Sequence, residues 1–464
     1  MGCFVGNKSE AFASTKFLIF KCQEYTSPVE DYISKPHTAA GTPLYSVGTK
    51  KMTTEMTNDR PLSYGRQHID EDDIAHVVRA CRGELITRGS WVAEFEARVA
   101  AYCGAKWAVA VANATCGLYI AFQAARASAA DRVITTPNSF IATVAAGIRC
   151  GARPHFVDID RDSGNMDLGK LEAALTPRSS GRYIIAPVHF AGIAQDMRRL
   201  SQRLKIPDVV IIEDAAQALG SEYPGGGLVG SCAYSDMTVF SFHAIKNITT
   251  AEGGIVTTNS DELYQRLLML RNSGIVKEKP LLEEEPAPGY YEVHEISGNY
   301  HMSELHAALG VSQLAKLAQF VEKRRTIVSW YRHHLGKELP ELRLFGAAHD
   351  PITAYHLFVV QCDFAARNLN RAVVMQRLAD KGIGTQYHYV PLYRHPAIRR
   401  LGGQRIEDYP EMEAYFHQAL TLPLFYDLEE RDVVRVVQAL KEALKEARPS
   451  VGRTPAAAPK RSRR

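Results

Sequence analysis

The sequence predicts an α/β protein built on a mostly parallel sheet. Two observations carry that expectation. First, apolar runs of strand length recur between Trp107 and Thr258: WAVAVANA, RVITTP, RPHFVDID, RYIIAPVHF, VVIIEDAA, MTVFSFH and GGIVTT. They are apolar on successive residues rather than alternating, which suits a sheet buried on both faces. Second, segments of helical character separate several of them, as in βαβ units.

In chain order, residues 1–59 show neither a helical nor a strand period. They are expected to be a poorly ordered extension, with Met52 and Met56 close to the start of the folded part. DEDDIAHVVRACR reads as a helix with carboxylates in its first turn, where they face the positive end of the helix dipole. WAVAVANA is a strand leading into the helix TCGLYIAFQAARA. RVITTP leads into the helix SFIATVAAGIRCG, and the remaining strands follow to GGIVTT. From about Arg325 the pattern changes to helices and short strands, AYHLFVVQCD and GIGTQYHYVP among them. This predicts a large domain at 60–324 and a smaller α/β domain at 325–447. The end, 448–464, is Pro/Ala-rich and basic, and is expected to be disordered.

The net charge of +4 comes largely from the final PKRSRR, so it gives no case for nucleic acid or an acidic membrane as partner. The eight cysteines form no CxxC pair. Cys103, Cys116, Cys150 and Cys232 sit among apolar or small residues, which predicts buried, reduced thiols in a cytoplasmic protein rather than a disulfide frame or a metal site. No apolar run is long enough for a membrane helix.

Four features fall at strand ends, where open α/β sheets bind ligands. Asn113, Ala114 and Thr115 stand at a strand-to-helix turn, whose free N–H groups suit an anion; an ordinary helix cap reads the same. Asp214 ends VVIIED with Gln217 three residues on. Either it caps a helix, or it is a carboxylate waiting for a cation. Phe140 offers core packing or a flat face for a ring. Lys246, with Ser241 and His243, lies between two buried strands in SFHAIKNITTAEGG, either simply solvated or a chemical handle. Together they match the needs of pyridoxal 5'-phosphate: an amine to bind the aldehyde, a carboxylate for the pyridine nitrogen, a ring face and a phosphate seat.

The phrases SFHAIKNITTAEGG, EDAAQALGSEY, VANATCGL and ISGNYHMSELHAALG resemble the motifs of the DegT/StrS-type sugar aminotransferases over roughly Arg60 to Ala447. The resemblance implies fold type I, the aspartate aminotransferase-like fold, with a seven-stranded sheet in the large domain. It makes Lys246 the Schiff-base lysine and Asp214 the partner of the pyridinium. Gln217 would contact the ring hydroxyl and Phe140 stack on the ring. Ser241, Ala114 and Thr115 would hold the phosphate, and Asn299 would reach it from the partner subunit of a homodimer with a shared site. Two departures stand out: His301 where the family commonly has arginine, and Cys116–Gly117 where a Ser-Ala pair is common.

Within the family, YGRQHIDEDDIAHVV, GELITRGSWVAEFE and the lysine phrase are similar to members that aminate carbon 4 of UDP-4-keto-6-deoxy-N-acetyl-L-altrosamine in pseudaminic acid synthesis. L-glutamate would be the amino donor. This implies substrate contacts from Tyr64, Glu84, Leu85, Ile86, Thr87 and Ala114, with His388 a further candidate. Alternatives stay open: another keto-sugar nucleotide of a UDP-bacillosamine or TDP-sugar pathway, or a non-catalytic protein that only binds the cofactor. A dehydratase branch carries histidine at the lysine position, against which Lys246 argues.

Overall fold

The computed structural model describes residues 60–175, 181–204, 208–285 and 287–445. The expected N-terminal extension and basic tail lie outside them. Helix α1 (Glu71–Cys81) starts at Asp70, whose carboxylate accepts from the Asp73 N–H while Asp73 accepts from that of Asp70. This reciprocal cap, with acids in the first turn, is why the helix begins there. Helix α2 (Ser90–Cys103) buries Val92, Phe95 and Val99; its first half, SWVAEFE, ends the phrase GELITRGSWVAEFE.

Strand β1 (Trp107–Val111) leads into α3 (Ala114–Ala124), β2 (Arg132–Thr135) into α4 (Ala142–Arg149), and β3 (Arg153–Phe156) into α5 (Leu168–Ala174). Then come β4 (Tyr183–Ala186), α6 (Met197–Arg203), β5 (Val209–Asp214), β6 (Met237–Ser241), β7 (Gly254–Thr258) and α7 (Asp261–Arg271). The seven strands form one sheet in the order β1-β7-β6-β5-β4-β2-β3. Only β7 runs against the rest, antiparallel to both β1 and β6. The other neighbouring pairs are parallel.

The absence of alternation in the strands has a direct structural reason. Ile134, Ile185, Phe240 and Ile255 point into one core, while their chain neighbours Val133, Ile184, Val239 and Val256 point into another on the opposite face. Both faces are therefore dry, as expected. The reversal at β7 makes residues 242–253 a hairpin connection at the C-terminal ends of the parallel strands. That places Lys246 beside Asp214 at the end of β5 and Ser241 at the end of β6.

A small hairpin, β8 (Ile275–Val276) with β9 (Glu292–Val293), precedes α8 (Glu304–Ala315) and the long α9 (Leu317–Glu338). Helix α9 runs through position 324/325, where the division into domains is expected. Its Leu317, Phe320 and Val321 join the core under the large sheet, and its Ile327, Val328, Tyr331 and Leu335 join a second core. That second core lies around the antiparallel strands β10 (Arg343–Leu344), β11 (Phe358–Gln361) and β12 (Ala419–Leu422). Helices α10 (Arg371–Asp380) and α13 (Glu430–Ala443) contribute to it; α11 (Pro396–Arg399) and α12 (Pro410–Gln418) lie in a neighbouring cluster.

Two local expectations are corrected. GIGTQYHYVP forms no strand: it makes isolated bridges at Ile383 and Gln386, because the chain then turns inward with His388 and meets Pro391, which cannot donate to a ladder. Of the four cysteines expected to be buried, Cys103 and Cys232 are, whereas Cys116 and Cys150 are half-exposed. Among the described residues no helix is long and apolar enough to cross a membrane.

Candidate active site

One cavity of about 490 Å³ opens at the C-terminal ends of β1, β5 and β6. Of the residues singled out in the sequence, Tyr64, Asn113, Ala114, Thr115, Phe140, Asp214, Gln217, Ser241, His243, Lys246 and His388 line it. Asn299 and the run Glu84 to Thr87 do not. Asn299 is exposed and bridges Asn272, away from the cavity. Glu84, Leu85, Ile86 and Thr87 are also exposed, on a loop tied to the start of α8 by the Glu304 carboxylate, which accepts from the N–H groups of Gly89 (2.8 Å) and Trp91 (2.7 Å).

Each lining group is positioned by a local cause. Asn113 caps α3 and its side chain accepts from the Cys116 N–H at 2.9 Å. That leaves the N–H groups of Ala114 and Thr115, at the first two helical positions, without an intrahelical acceptor. Gly117 lets α3 settle closely on the sheet, since a Cβ there would lie 3.0 Å from Val239 Cγ1. Asp214 is buried, its Oδ1 accepting from the Ala216 N–H and its Oδ2 from the Thr143 hydroxyl. It is therefore a constrained carboxylate rather than a helix cap, since no helix follows it. Phe140 is 57 % exposed, which excludes core packing. Gln217 accepts from the Ala191 N–H and donates to the Tyr389 hydroxyl, each at 2.7 Å. One of its amide hydrogens stays uncommitted.

The Lys246 loop is pinned at both flanks. Asn247 donates to the carbonyls of Leu219 and Ala354, and the Thr250 N–H donates to Phe242. Burial pulls the Lys246 amine down to about 8, with the Asp214 carboxylate acting in the opposite direction. Its Nζ lies 3.4 Å from Nε2 of His356. Burial, with the charge of Lys246 next, holds His356 well below the usual imidazole range and pulls His388 down to about 3. Both rings are neutral at neutral pH. His301 is also neutral, pulled to about 4 by burial and by Arg271 and Arg88, so it supplies no cation where arginine is common in the family.

Sequence reasoning missed His356, Tyr389, Ser139, Thr143 and Glu252. Glu252 stands in the quoted lysine phrase and Tyr389 next to His388, so proximity could have suggested them. Nothing local marks Thr143 or His356: they come from α4 and from the stretch before β11.

Residues 67–441 match the DegT/DnrJ/EryC1/StrS aminotransferase family. The chain belongs to that family. Among its relatives, the UDP-4-amino-4,6-dideoxy-N-acetyl-beta-L-altrosamine transaminase of Campylobacter jejuni is 34% identical over 393 residues, covering 83% of this chain and 98% of the relative. The spore coat polysaccharide biosynthesis protein SpsC of Bacillus subtilis is 34% identical over 387 residues, 83% of this chain and 98% of SpsC. Among solved structures, Helicobacter pylori PseC, an aminotransferase involved in the biosynthesis of pseudoaminic acid, superposes with TM-score 0.74 at 27% identity, over 83% of this chain and 99% of that one. The putative sugar aminotransferase Spr1654 of Streptococcus pneumoniae, solved in PLP and PMP forms, superposes with TM-score 0.74 at 28% identity; the PLP form covers 83% of this chain and 98% of that one.

This family member is thus a pyridoxal-phosphate-dependent sugar aminotransferase with the fold type I architecture. Its cavity fits the cofactor on its own chemistry. A half-buried amine, a buried and doubly hydrogen-bonded carboxylate, an exposed aromatic face and a helix N-terminus with free N–H groups all border one space.

Proposed function

We propose that the enzyme transfers an amino group from L-glutamate to carbon 4 of a UDP-4-keto-6-deoxy-N-acetylhexosamine, the L-altro sugar, in pseudaminic acid biosynthesis. It acts as a cytoplasmic homodimer. The observation that carries the reaction type is the meeting of Lys246, Asp214, Phe140 and the α3 N-terminus around one cavity. The finer choice of sugar is supported by the likeness to the altrosamine transaminases and to PseC.

When bound, pyridoxal phosphate supplies an aldehyde that exchanges amines and a ring that takes up the electrons of a broken C–H bond. The chain does the rest. Free N–H groups of Ala114 and Thr115, with the Ser241 hydroxyl, hold the phosphate. Asp214, fixed by Thr143 and Ala216, keeps a proton on the ring nitrogen. Phe140 would cover one ring face, and the spare Gln217 N–H would be the donor for the ring oxygen. Lys246 anchors the cofactor, then takes a proton from the donor's α-carbon and gives one to carbon 4 of the sugar. Tyr64 and His388, their rings 5.7 Å apart, stand together at the cavity wall for the sugar.

Asn299 and the run Glu84–Thr87 serve the cavity of a second copy. Their exposure outside their own cavity supports this, as does the tie between the two segments through α8. The apolar groove formed by Ile69, Ile74, Val77 and Val78 of the α1 region beside Ala244 and Ala251 also supports a second copy on this side.

The deciding assay couples the enzyme to a dehydratase that makes the altro-configured ketone and to one that makes the gluco-configured ketone. Amination of the altro ketone alone is expected. Amination of only the gluco ketone sinks the sugar assignment in favour of a bacillosamine-type or other keto-sugar substrate. A protein whose cofactor absorbance glutamate fails to change would instead be a non-catalytic binder.

A further inference from the structure

His356 contributes to the cavity from outside every recognised motif. It stands just before β11, 4 % exposed, with its backbone N–H held by the Ala191 carbonyl at 2.9 Å. Its Nε2 lies 3.4 Å from Lys246 Nζ, and its buried Nδ1 has no hydrogen-bond partner. No other interaction fixes the ring's hydrogen-bonding role, so the contact with Lys246 decides it. Charged and titratable groups face the pair from several elements: Asp214 from β5, His243 from the Lys246 loop, Arg324 from α9, and His388 from the segment after α10. Burial is the first cause that keeps protons off the His356 ring, and the charges of Lys246 and Arg324 add to it. The imidazole thus stays neutral and can always accept.

We propose that His356 is the positioning residue for Lys246, accepting one of its N–H bonds at Nε2 whether the lysine is charged or neutral. An ammonium has three hydrogens and an amine two, so one can remain on Nε2 in both states. The proton that leaves, and the lone pair that remains, then point into the cavity. Proton balance closes on Nζ alone: the hydrogen given to carbon is one of those not held by His356, and the imidazole is never charged. This rests on Lys246 being the proton carrier.

The test compares His356→Gln, whose amide oxygen can still accept, with His356→Leu and His356→Asn, which place no acceptor near Nε2. In the cofactor-free protein, labelling of Lys246 by acetic anhydride, read by mass spectrometry against pH, should show a midpoint near 8 in the wild type. The midpoint should fall by about a unit in the Leu and Asn variants, because the half-buried ammonium loses its acceptor, and return in the Gln variant. In the loaded enzyme, kcat should fall on the order of tenfold or more in the Leu and Asn variants at unchanged KM. The donor C–H deuterium isotope effect should rise, and the Gln variant should recover most of both. Unchanged midpoints in Leu and Asn, or a Gln variant that behaves like them, overturn the proposal. A shifted midpoint without a change in isotope effect keeps the contact but removes Lys246 as proton carrier. Should the Leu variant not fold, the Asn and Gln pair decides.

Discussion

The Thr143 hydroxyl donates to Asp214 Oδ2 across 2.5 Å, and Ser139 stands 2.7 Å behind Thr143. A residue of α4 thus orients the carboxylate that ends β5. A hydroxyl carries one hydrogen, and the charged carboxylate at 2.5 Å takes it ahead of the Phe140 carbonyl at 3.2 Å, so Thr143 donates to Asp214 and accepts from Ser139. Thr143→Val keeps the volume and removes the donor. The expected loss is about 1.5–3 kcal/mol of transition-state stabilisation, as for a hydrogen bond to a charged group, or roughly ten- to a hundredfold in single-turnover rate. Thr143→Ser should stay near wild type. Asp214→Asn should lose more than either, since it removes the charge itself. Stopped-flow of the glutamate half-reaction checks the ranking; a valine variant as fast as wild type would leave Asp214 oriented by Ala216 alone.

The depressed amine of Lys246 has a consequence for stability against pH. In the fold it titrates near 8, against 10.5 for an ordinary lysine. Between those values the unfolded chain binds more protons than the folded one, so the cofactor-free protein gains stability as pH rises through this window. Below pH 8 both states are charged and the penalty is constant. Above 10.5 both are neutral and it has gone. Lys246→Met should therefore be more stable than wild type below pH 8, by on the order of 3 kcal/mol at most, and the gap should close towards pH 10.5. Paired thermal melts at pH 7.5 and 10 read this directly. A gap independent of pH means that the amine titrates normally.

A shared site makes a prediction that neither subunit can meet alone. Lys246→Ala should fold, bind pyridoxal phosphate without a borohydride-reducible link, and turn over nothing. Asn299→Ala should bind the cofactor weakly. Mixed dimers contain one composite site with both groups intact, so activity should return to about a quarter of wild type after random reassortment, half the dimers being hybrid with one good site of two. Full activity of wild type diluted to monomer would remove the shared site.

Much of this was legible because burial leaves a compositional trace. The apolar strands announced a sheet dry on both faces, and the residues at their ends announced where a ligand would sit. The lysine in SFHAIKNITTAEGG stood out as a single ammonium between two apolar runs and by its motif; the structure adds that β7 reverses and turns this loop toward β5. Thr143 and His356 left no such trace. Each is an ordinary residue in its own segment, and only the packing of α4 against β5, or of the β11 entry against the Lys246 loop, gives it a partner. GIGTQYHYVP misled because a short run with two tyrosines and a valine reads as a strand, whereas here His388 and Tyr389 turn toward the cavity and Tyr387 packs on Arg371 and Phe416. The run Glu84–Thr87 raises a different issue: it is exposed and lies off the cavity of its own chain, so the role proposed for it requires the proposed second copy, which one chain's pattern does not encode.

Gly254 answers why the lysine phrase ends in a glycine pair. It pairs with Val111 on one side and Ser241 on the other, between two strands that hold the phosphate seat. A Cβ at this position would lie 2.5 Å from Ala114 N and 2.6 Å from the Asn113 carbonyl carbon. Those are backbone atoms, so alanine can be admitted only by moving the start of α3. The atom displaced first is the N–H assigned to the phosphate. Gly254→Ala should therefore cost about 1–3 kcal/mol of stability and, separately, weaken cofactor binding. Gly336 supplies the control: it lies in α9 with open space where its Cβ would stand, so Gly336→Ala should gain about 0.5–1 kcal/mol and leave binding unchanged. Fluorescence titration with pyridoxal phosphate, and with pyridoxal lacking the phosphate, separates the two effects. The Gly254 variant should lose affinity for the phosphorylated form and little for the other. Equal losses for both ligands would mean that the change is a general loosening of the cavity, and the phosphate would have to be seated elsewhere than on the α3 N-terminus.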